Sequence, residues 1–231
     1  MLVRIAGLGD WKAISHISSI SGYDDYINEM GISYLDSREV YVHESEDTIK
    51  GFIRIENLFG RSQWLSGLRV HPDYRRRGIA LELTYFALKK AKEDGIHISR
   101  LLIEERNTPS LNLATKCGFT KRDCYYFLIG SPVPAYIGNG RMPETGTIVD
   151  MGWKFADICE IPPNLPVFLR SGKWVFLKFG NHYHVTAAGT SDLTFTGDGV
   201  TCISGQNMTP GLMKYVMPDF PSACVFEKQI R

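Results

Sequence analysis

The residues best able to do chemistry lie in one stretch, where a predicted strand runs through a turn into a predicted helix. It reads Leu68-Arg69-Val70-His71-Pro72-Asp73-Tyr74-Arg75-Arg76-Arg77-Gly78-Ile79-Ala80. A helix N-terminus offers unpaired backbone N–H groups and the positive end of the helix dipole, so it suits an anion. Gly78 has no Cβ to keep a ligand from the backbone, and the three arginines add positive charge. The stretch therefore predicts a pyrophosphate site.

This interpretation competes with simpler ones. The arginines could form a solvated turn, with Gly78 serving only to start the helix. Two familiar nucleotide patterns, Gly-x-Gly-x-x-Gly and the Gly-Lys-Ser/Thr of the P-loop, are absent from the stretch. A dinucleotide-binding turn and a P-loop are therefore set aside.

Hydrophobic periodicity predicts the elements that position this turn, in the order β-α-α-β-β-β-α-β-α-β. The predicted strands cover residues 2–7, 39–44, 49–57, 64–70, 100–105 and 119–129. The first predicted helix follows Asp10, which is its N-cap. A second short helix or a loop is predicted within residues 22–36, and two further helices cover residues 79–94 and 107–116. Gly95 is predicted to end the third helix.

The stretch resembles motif A of the GNAT superfamily, the GCN5-related N-acetyltransferases. The motif, Val-x-Pro-x-x-(Arg/Gln)-x-x-Gly-x-(Gly/Ala), is filled by Val70, Pro72, Arg75, Gly78 and Ala80. The family's motif B is similar to a second set, Asn107, Ser110, Leu113, Ala114, Lys116, Gly118 and Phe119. The resemblance covers residues 1–129. It implies an α+β GNAT fold: a mixed, mostly antiparallel sheet flanked by helices and splayed between its fourth and fifth strands.

The resemblance also implies an activity: transfer of an acetyl group from acetyl-CoA to a primary amine, by direct attack in a ternary complex. The residues that match the family's cofactor-binding positions are Leu68, Arg69, Val70, Arg75, Arg76, Arg77, Gly78, Ile79, Ala80, Leu81 and Asn107. Strand residues 68–70 would contact the pantetheine arm, the amides after Arg75 the pyrophosphate, and Asn107 the cofactor from the other side.

The acid–base residues are less well defined by the motifs. Glu104 ends the strand where the family sometimes places a glutamate, and Glu56 is another candidate base; each could also be an ordinary solvated carboxylate. The family's usual tyrosine, which protonates the departing thiolate, is replaced by Ala114. Tyr125 and Tyr126 lie nearby in sequence. The alternative to an enzyme is therefore a catalytically silent acyl-CoA sensor or regulatory module.

An acidic loop and one cysteine near the predicted site can each be interpreted in two ways. An acidic loop with Asp24, Asp25, Glu29 and Asp36 could line the acceptor site for a cationic amine, or could simply be solvated. Cys117 is expected to be a small core residue rather than a nucleophile.

The last hundred residues carry no recognised motif. Gly and Pro punctuate residues 130–146, which predicts a linker, and short strand-like runs over residues 147–231 predict a small β-rich second domain. Its core is expected to contain the aromatic side chains Trp153, Phe155, Trp174, Phe176 and Phe179. His182 and His184 share a strand face, but a metal site needs three or four ligands, so no metal is expected.

Composition excludes several classes of protein. A formal net charge of +1 is poor support for a nucleic-acid surface. The five cysteines are odd in number and widely spaced, which favours neither a disulfide framework nor a zinc knuckle and suggests a reducing cytoplasm. Neither a signal peptide nor a membrane span is evident. The expected partners are acyl-CoA and an amine, with a homodimer possible and no nucleic acid or membrane.

Overall fold

The chain passes four times between two separately packed units. The computed structural model describes residues 2–22, 26–37, 39–133, 135–138, 143–189 and 193–230. Unit 1 comprises Met1–Ser99, Asn112–Phe119 and Lys228–Arg231. Unit 2 comprises Arg100–Leu111 and Thr120–Glu227. The units are defined by backbone packing. The domain boundaries predicted from the sequence, residues 1–129 and 147–231, remain a prediction.

The first part of unit 1 is an antiparallel sheet. Its strands, in spatial order, are β1 (Leu2–Ile5), β2 (Val40–Ser45), β3 (Thr48–Asn57) and β4 (Ser62–Val70). The β2–β3 hairpin turns through Glu46 and Asp47, both at φ 54°. Two consecutive positive φ angles match the right-handed twist of a hairpin, which confirms the hairpin that the sequence predicts here.

Helices cover both faces of this sheet. They are α1 (Trp11–Ile20), α2 (Tyr26–Met30) and α3 (Ile79–Glu93). Val40 and Val42 pack with Ile14 of α1, whereas the intervening Tyr41 meets Phe86 of α3 with ring centroids 5.2 Å apart. Since alternate strand residues face opposite sides, α1 and α3 lie on opposite faces.

Two helix ends differ in detail from the sequence prediction. Asp10 makes no side-chain cap to α1; its carboxylate accepts the Gly7 N–H at 2.8 Å and pairs with Arg4 at 2.7 Å. Asp10 therefore occupies the predicted N-cap position of α1, but its side chain does not make the capping hydrogen bond. Gly95, at φ 69°, follows the C-cap Asp94 in the left-handed conformation that ends many helices.

Unit 2 is built around a long strand. β5 (Ile98–Glu104) enters the unit at Arg100, α4 (Thr108–Lys116) leaves it, and β6 (Thr120–Val133) returns. The remaining strands are β7 (Tyr136–Ile137), β8 (Ile148–Asp150), β9 (Phe155–Asp157), β10 (Val167–Ser171), β11 (Trp174–Phe179), β12 (His182–Ala187), β13 (Thr194–Ser204) and β14 (Ser222–Gln229). Their order is β5-β14-β6-β13-β12-β11-β10-β7, with β8 and β9 as a separate pair.

The β-rich character predicted for the C-terminal part is present, but its details differ. β6 continues through residues 130–133, which the sequence assigns to a linker, because the strand pairs there with β13. Four of the five predicted core aromatics are buried, whereas Trp153 is 37% exposed. Among the described residues, none of the helices has the length and apolar character needed to cross a membrane.

A buried ion cluster holds unit 2 together. The Arg100 guanidinium, whose side chain is 1% exposed, donates to Glu227 at 2.8 Å and to both carboxylate oxygens of Glu160 at 2.8 and 2.9 Å. Glu160 follows β9, and Glu227 lies near the end of β14. One arginine therefore joins three segments far apart in the chain.

Replacing Arg100 should be costly because it leaves two carboxylates buried without their cation. We expect Arg100→Met to lower the free energy of unfolding by about 3–5 kcal/mol, measured by urea denaturation. Arg122→Ala is the matched control, because Arg122 lies 3.9 Å from Glu227 and its side chain is 40% exposed. A loss for Arg100→Met no larger than that of the control would contradict this role.

A disulfide joins Cys124 of β6 to Cys224 of β14, directly opposite each other in the strand register. The sequence-based expectation that the cysteines form no disulfide is therefore wrong for this pair. The local spacing could not reveal it, because the two cysteines are 100 residues apart. The cysteine count accordingly no longer supports the cytoplasmic setting inferred from it.

Closing so long a loop should stabilise the fold by restricting the unfolded chain. We expect reduction, or the pair Cys124→Ala and Cys224→Ala, to lower the free energy of unfolding by about 4–5 kcal/mol. Denaturant unfolding with and without reductant measures this loss. The exposed, unpaired Cys159 provides the control Cys159→Ala. Equal stability of the oxidised and reduced protein would show that the bond contributes nothing.

Candidate functional site

The predicted pyrophosphate turn has the backbone geometry of an anion site. Gly78 is at φ 86° and exposed, immediately ahead of the 15-residue helix α3. The Glu82 N–H donates to the Gly78 carbonyl at 3.0 Å, so the N–H groups of residues 79–81 precede the first helical bond. Arg76 is also left-handed, at φ 62°. The turn therefore presents consecutive backbone amides at the positive end of a helix dipole.

The three arginines of the turn have different tasks. The Arg75 guanidinium bonds to two backbone carbonyls of the protein. Its Nε donates to the Val70 carbonyl at 3.2 Å and its Nη2 to the Ser21 carbonyl at 2.9 Å. Arg77 lies over the Tyr74 ring, 5.4 Å from its centroid, and remains exposed. Arg75 thus fixes the turn against β4 and the end of α1, while Arg76 and Arg77 keep their charge at the surface.

The strand that leads into the turn contains a bulge that the sequence does not reveal. Register shifts between Phe52 and Arg54 of β3, opposite Gly67 of β4. Gly67 is at φ 60°, and a Cβ there would collide with the Tyr34 hydroxyl. Both the left-handed backbone and the position of the Tyr34 hydroxyl therefore favour glycine here. The bulge sets the direction in which Leu68, Arg69 and Val70, all half-buried, approach the turn.

A carboxylate stands close to the turn. Glu82 lies in the first turn of α3, with Oε1 3.9 Å from where a Gly78 Cβ would be. Its Oε2 is 2.7 Å from Nε2 of the buried His43 on β2. This contact holds the Glu82 side chain against the sheet, and it limits how far the carboxylate can reach over the amides of the turn.

Unit 2 contains the other predicted site residues, Glu104 and Asn107. Glu104, at the end of β5, forms an ion pair with Arg106. The Asn107 side-chain oxygen accepts the Ser110 N–H at 3.2 Å, and its own N–H donates to the Glu104 carbonyl at 2.9 Å. Asn107 therefore caps α4 and ties it to the end of β5.

Glu56, the other candidate base, is buried, whereas the described acidic residues of the loop are exposed. Glu56 is 6% exposed and pairs with Arg54 at 3.3 Å, so it is a partner in the core of unit 1. Glu29 and Asp36 are exposed. Asp24 and Asp25 lie outside the described residues. The acceptor-binding role predicted for this loop stays a prediction.

Three side chains in or near motif B, those of Ala114, Cys117 and Tyr125, are buried and pack in the interior. Cys117 is buried, and burial raises the pKa of its thiol, as expected for a core residue rather than a nucleophile. Ala114 is buried as well. The Tyr125 hydroxyl donates to the Ile148 carbonyl at 2.8 Å, and burial raises its pKa. Tyr125 is therefore committed within unit 2 and is a poor candidate for the missing acid.

The two histidines of β12 converge on one aspartate. Nδ1 of His182 lies 2.9 Å from Oδ2 of Asp150, and Nδ1 of His184 accepts the Asp150 N–H at 3.1 Å. Elsewhere in unit 2, Glu105 lies near both sulfurs of the Cys124–Cys224 pair. Those sulfurs are joined as a disulfide and cannot act as thiolate ligands in this state.

Comparison with known proteins agrees with this geometry. Residues 10–119 match the model of the acetyltransferase (GNAT) family. They form a GNAT acetyltransferase domain. The matched range contains the turn at Gly78, the bulge of β4 and the cap of α4, and the resemblance to the GNAT family is confirmed.

Solved structures extend the fold to the whole chain. A Thermoplasma acidophilum protein assigned as an acetyltransferase is 17% identical and has a TM-score of 0.67, over 99% of this chain and 100% of that one. A Pyrococcus horikoshii protein of the same assignment is 13% identical, with a TM-score of 0.58 over 100% of this chain and 89% of that one. The predicted GNAT fold with a β-rich extension is confirmed.

One curated relative matches only in part. HLS1 of Arabidopsis thaliana, assigned as an N-acetyltransferase, is 30% identical over 80 residues. The match spans 34% of this chain and 19% of the relative.

Proposed function

We propose that the chain is an N-acetyltransferase that moves an acetyl group from acetyl-CoA to a primary amine. The observation that carries this proposal is the exposed, left-handed Gly78 at the start of α3, inside a GNAT domain. Its amides and the charges of Arg76 and Arg77 suit the anionic pyrophosphate of CoA. Metal ions have no part in the proposed reaction.

The proposed cofactor contacts follow the backbone of unit 1. The amides of residues 76–81 would bind the pyrophosphate, and the strand residues Leu68, Arg69 and Val70 the pantetheine arm. Arg75 would act indirectly, because its guanidinium already holds the turn in place. Asn107 would act at the start of α4, where its side chain also caps the helix.

The reaction needs a base and a leaving group. The acceptor ammonium gives a proton to the base, its nitrogen attacks the thioester carbonyl, and the carbon–sulfur bond breaks to release CoA as a thiolate. The nitrogen of the new amide then loses its second proton to solvent. We propose Glu104 as the base, because it is a carboxylate at the end of β5. With Ala114 in the acid's position the thiolate would leave unassisted, which the moderate pKa of a thiol, about 8.5 for free cysteine, permits. Holding both reactants in one complex supplies much of the remaining acceleration.

A catalytically silent acyl-CoA sensor is the second candidate, and Ala114 is the residue that favours it. Both candidates bind CoA, and only the enzyme releases free thiol when an amine is added. Tight CoA binding without turnover of any amine would favour the sensor.

CoA binding should depend on the backbone of the turn. A branched side chain is strained at φ 86° and would cover the amides, so we expect Gly78→Val to weaken CoA binding at least about tenfold, a change of ~1.4 kcal/mol. Isothermal titration calorimetry measures the affinity. Gly9→Val is the control, because Gly9 has open space where a Cβ would lie and is not left-handed. Unchanged affinity for Gly78→Val would disprove the phosphate-turn assignment.

Turnover should depend on Glu104 and not on its neighbour. We expect Glu104→Gln to lower kcat by roughly 100-fold, the usual contribution of a positioned base, with CoA affinity preserved. Thiol release in the presence of acetyl-CoA and a panel of amines measures kcat. Glu105→Gln is the matched control, since the Glu105 carboxylate accepts the Ser222 hydroxyl at 2.7 Å. Equal kcat in the Glu104 variant and wild type would remove Glu104 as the base.

A further inference from the structure

Trp153 has a backbone conformation that a bulky residue seldom adopts. Its φ is 61°, directly after Gly152 at φ 103°. Such a conformation costs about 1–3 kcal/mol and persists only where surrounding contacts enforce it. The enforcing group is Asp150, whose Oδ1 accepts the N–H of Gly152 at 3.0 Å and of Trp153 at 2.8 Å. Asp150 is completely buried, whereas the indole that it positions is 37% exposed.

The second oxygen of Asp150 orients His182. Oδ2 lies 2.9 Å from Nδ1 of His182. Because an ionised carboxylate only accepts hydrogen bonds, Nδ1 carries a proton in this contact, and in the neutral imidazole Nε2 is then an acceptor. The structure shows no partner for this Nε2 among the residues it describes. Burial lowers the pKa of His184 to about 4, so its imidazole is neutral. His184 contacts the Asp150 N–H, and the Asp150 carboxylate faces His182.

Aromatic rings hold the indole from several sides. Trp153 stacks on the buried Phe127, with ring centroids 5.0 Å apart and planes 27° apart. It meets His182 edge-on at 5.4 Å and Phe220 at 5.5 Å. No hydrogen-bond acceptor for the indole N–H is found within the described part of the chain. The result is a rigid, partly exposed aromatic surface next to a free imidazole nitrogen.

This surface adjoins the residues that follow β5. Phe220 belongs to the segment just before β14, where the Asp219 carbonyl accepts from Nη2 of Arg106 at 2.7 Å. The Glu105 N–H donates to the carbonyl of Ser222, the first residue of β14, and the Glu105 carboxylate accepts from the Ser222 hydroxyl. Glu104, the proposed base, immediately precedes these residues. Within unit 2, the aromatic surface is therefore joined through one short segment to the end of β5.

We propose that Trp153 and His182 bind the amine that accepts the acetyl group. The acceptor class is a primary amine carrying a flat apolar or aromatic group, which lies on the indole, and a hydroxyl or other hydrogen-bond donor, which reaches Nε2 of His182. Asp150 is a positioning residue for both side chains. This inference rests on the proposed acetyl transfer, and it assigns to unit 2 the choice of acceptor.

The test uses three probe amines with wild-type protein and acetyl-CoA: tyramine, 2-phenylethylamine and propylamine. They share a primary amine and differ in the ring and the phenolic hydroxyl. We expect kcat/KM to fall in the order tyramine, 2-phenylethylamine, propylamine, by about tenfold at each step. Equal kcat/KM for tyramine and propylamine would overturn the assignment.

Two variants separate the contributions of the ring and the imidazole. Trp153→Ala should raise KM about tenfold for tyramine and 2-phenylethylamine and leave it unchanged for propylamine. His182→Asn keeps an N–H for Asp150 but lacks the second nitrogen, so it should raise KM about tenfold for tyramine alone. Trp153→Phe, which retains an aromatic ring, should restore most of the loss. Unchanged KM for tyramine in both Trp153→Ala and His182→Asn would sink the proposal.

Calorimetry separates this inference from the proposed function. CoA affinity should be the same in wild type, Trp153→Ala and His182→Asn, since neither residue belongs to the turn at Gly78. If no CoA binds and no thiol is released, acetyl transfer fails as a function. Tyramine binding, lost in Trp153→Ala and retained in Trp153→Phe, would still establish the aromatic site. Absence of tyramine binding in protein that binds CoA and turns over propylamine would refute the site alone.

Discussion

The left-handed backbone at Gly78 is the constraint on which the rest of unit 1 depends. It allows β4 to end and α3 to begin within a few residues, so that the apolar face of α3 lies on the sheet. The same reversal leaves the first amides of the helix without helical acceptors. Arg75 then fixes the turn by two bonds to backbone carbonyls. Packing and the proposed binding of an anion therefore require the same geometry of one residue, so a change at Gly78 affects both.

Unit 2 contains a second case in which one residue determines a local backbone. Both Gly78 and Asp150 determine the path of the chain after a strand. Gly78 does so through its left-handed backbone, and Asp150 through its carboxylate. Both oxygens are used: one accepts two amides and the other faces His182. A buried carboxylate with all these partners is well compensated, because hydrogen bonds to the charged form offset the loss of hydration.

The parts of the fold that depend on residues close together in the sequence could be predicted from it. Motif A spacing predicts the turn, and the helix that follows Gly78 has its apolar residues at intervals of four. The Cys124–Cys224 disulfide, the Gly67 bulge and the exposed position of Trp153 could not, because each depends on contacts between distant segments. Arg75 is an intermediate case: its motif position was evident, but its bonds to Val70 and Ser21 require the packed strand and helix.

The return of the chain to unit 1 at Lys228 affects the order in which the molecule can be assembled. Lys228 donates to the Cys117 carbonyl at 2.6 Å, and the Ile230 N–H to the His97 carbonyl at 2.8 Å. Residues 117 and 228 are 111 positions apart, so a ribosome needs on the order of ten seconds to travel between them. During that interval the growing chain contains the turn at Gly78 but lacks the C-terminal contacts that complete unit 1. Translation speed over residues 120–227 therefore sets how long a partly assembled acetyltransferase domain waits.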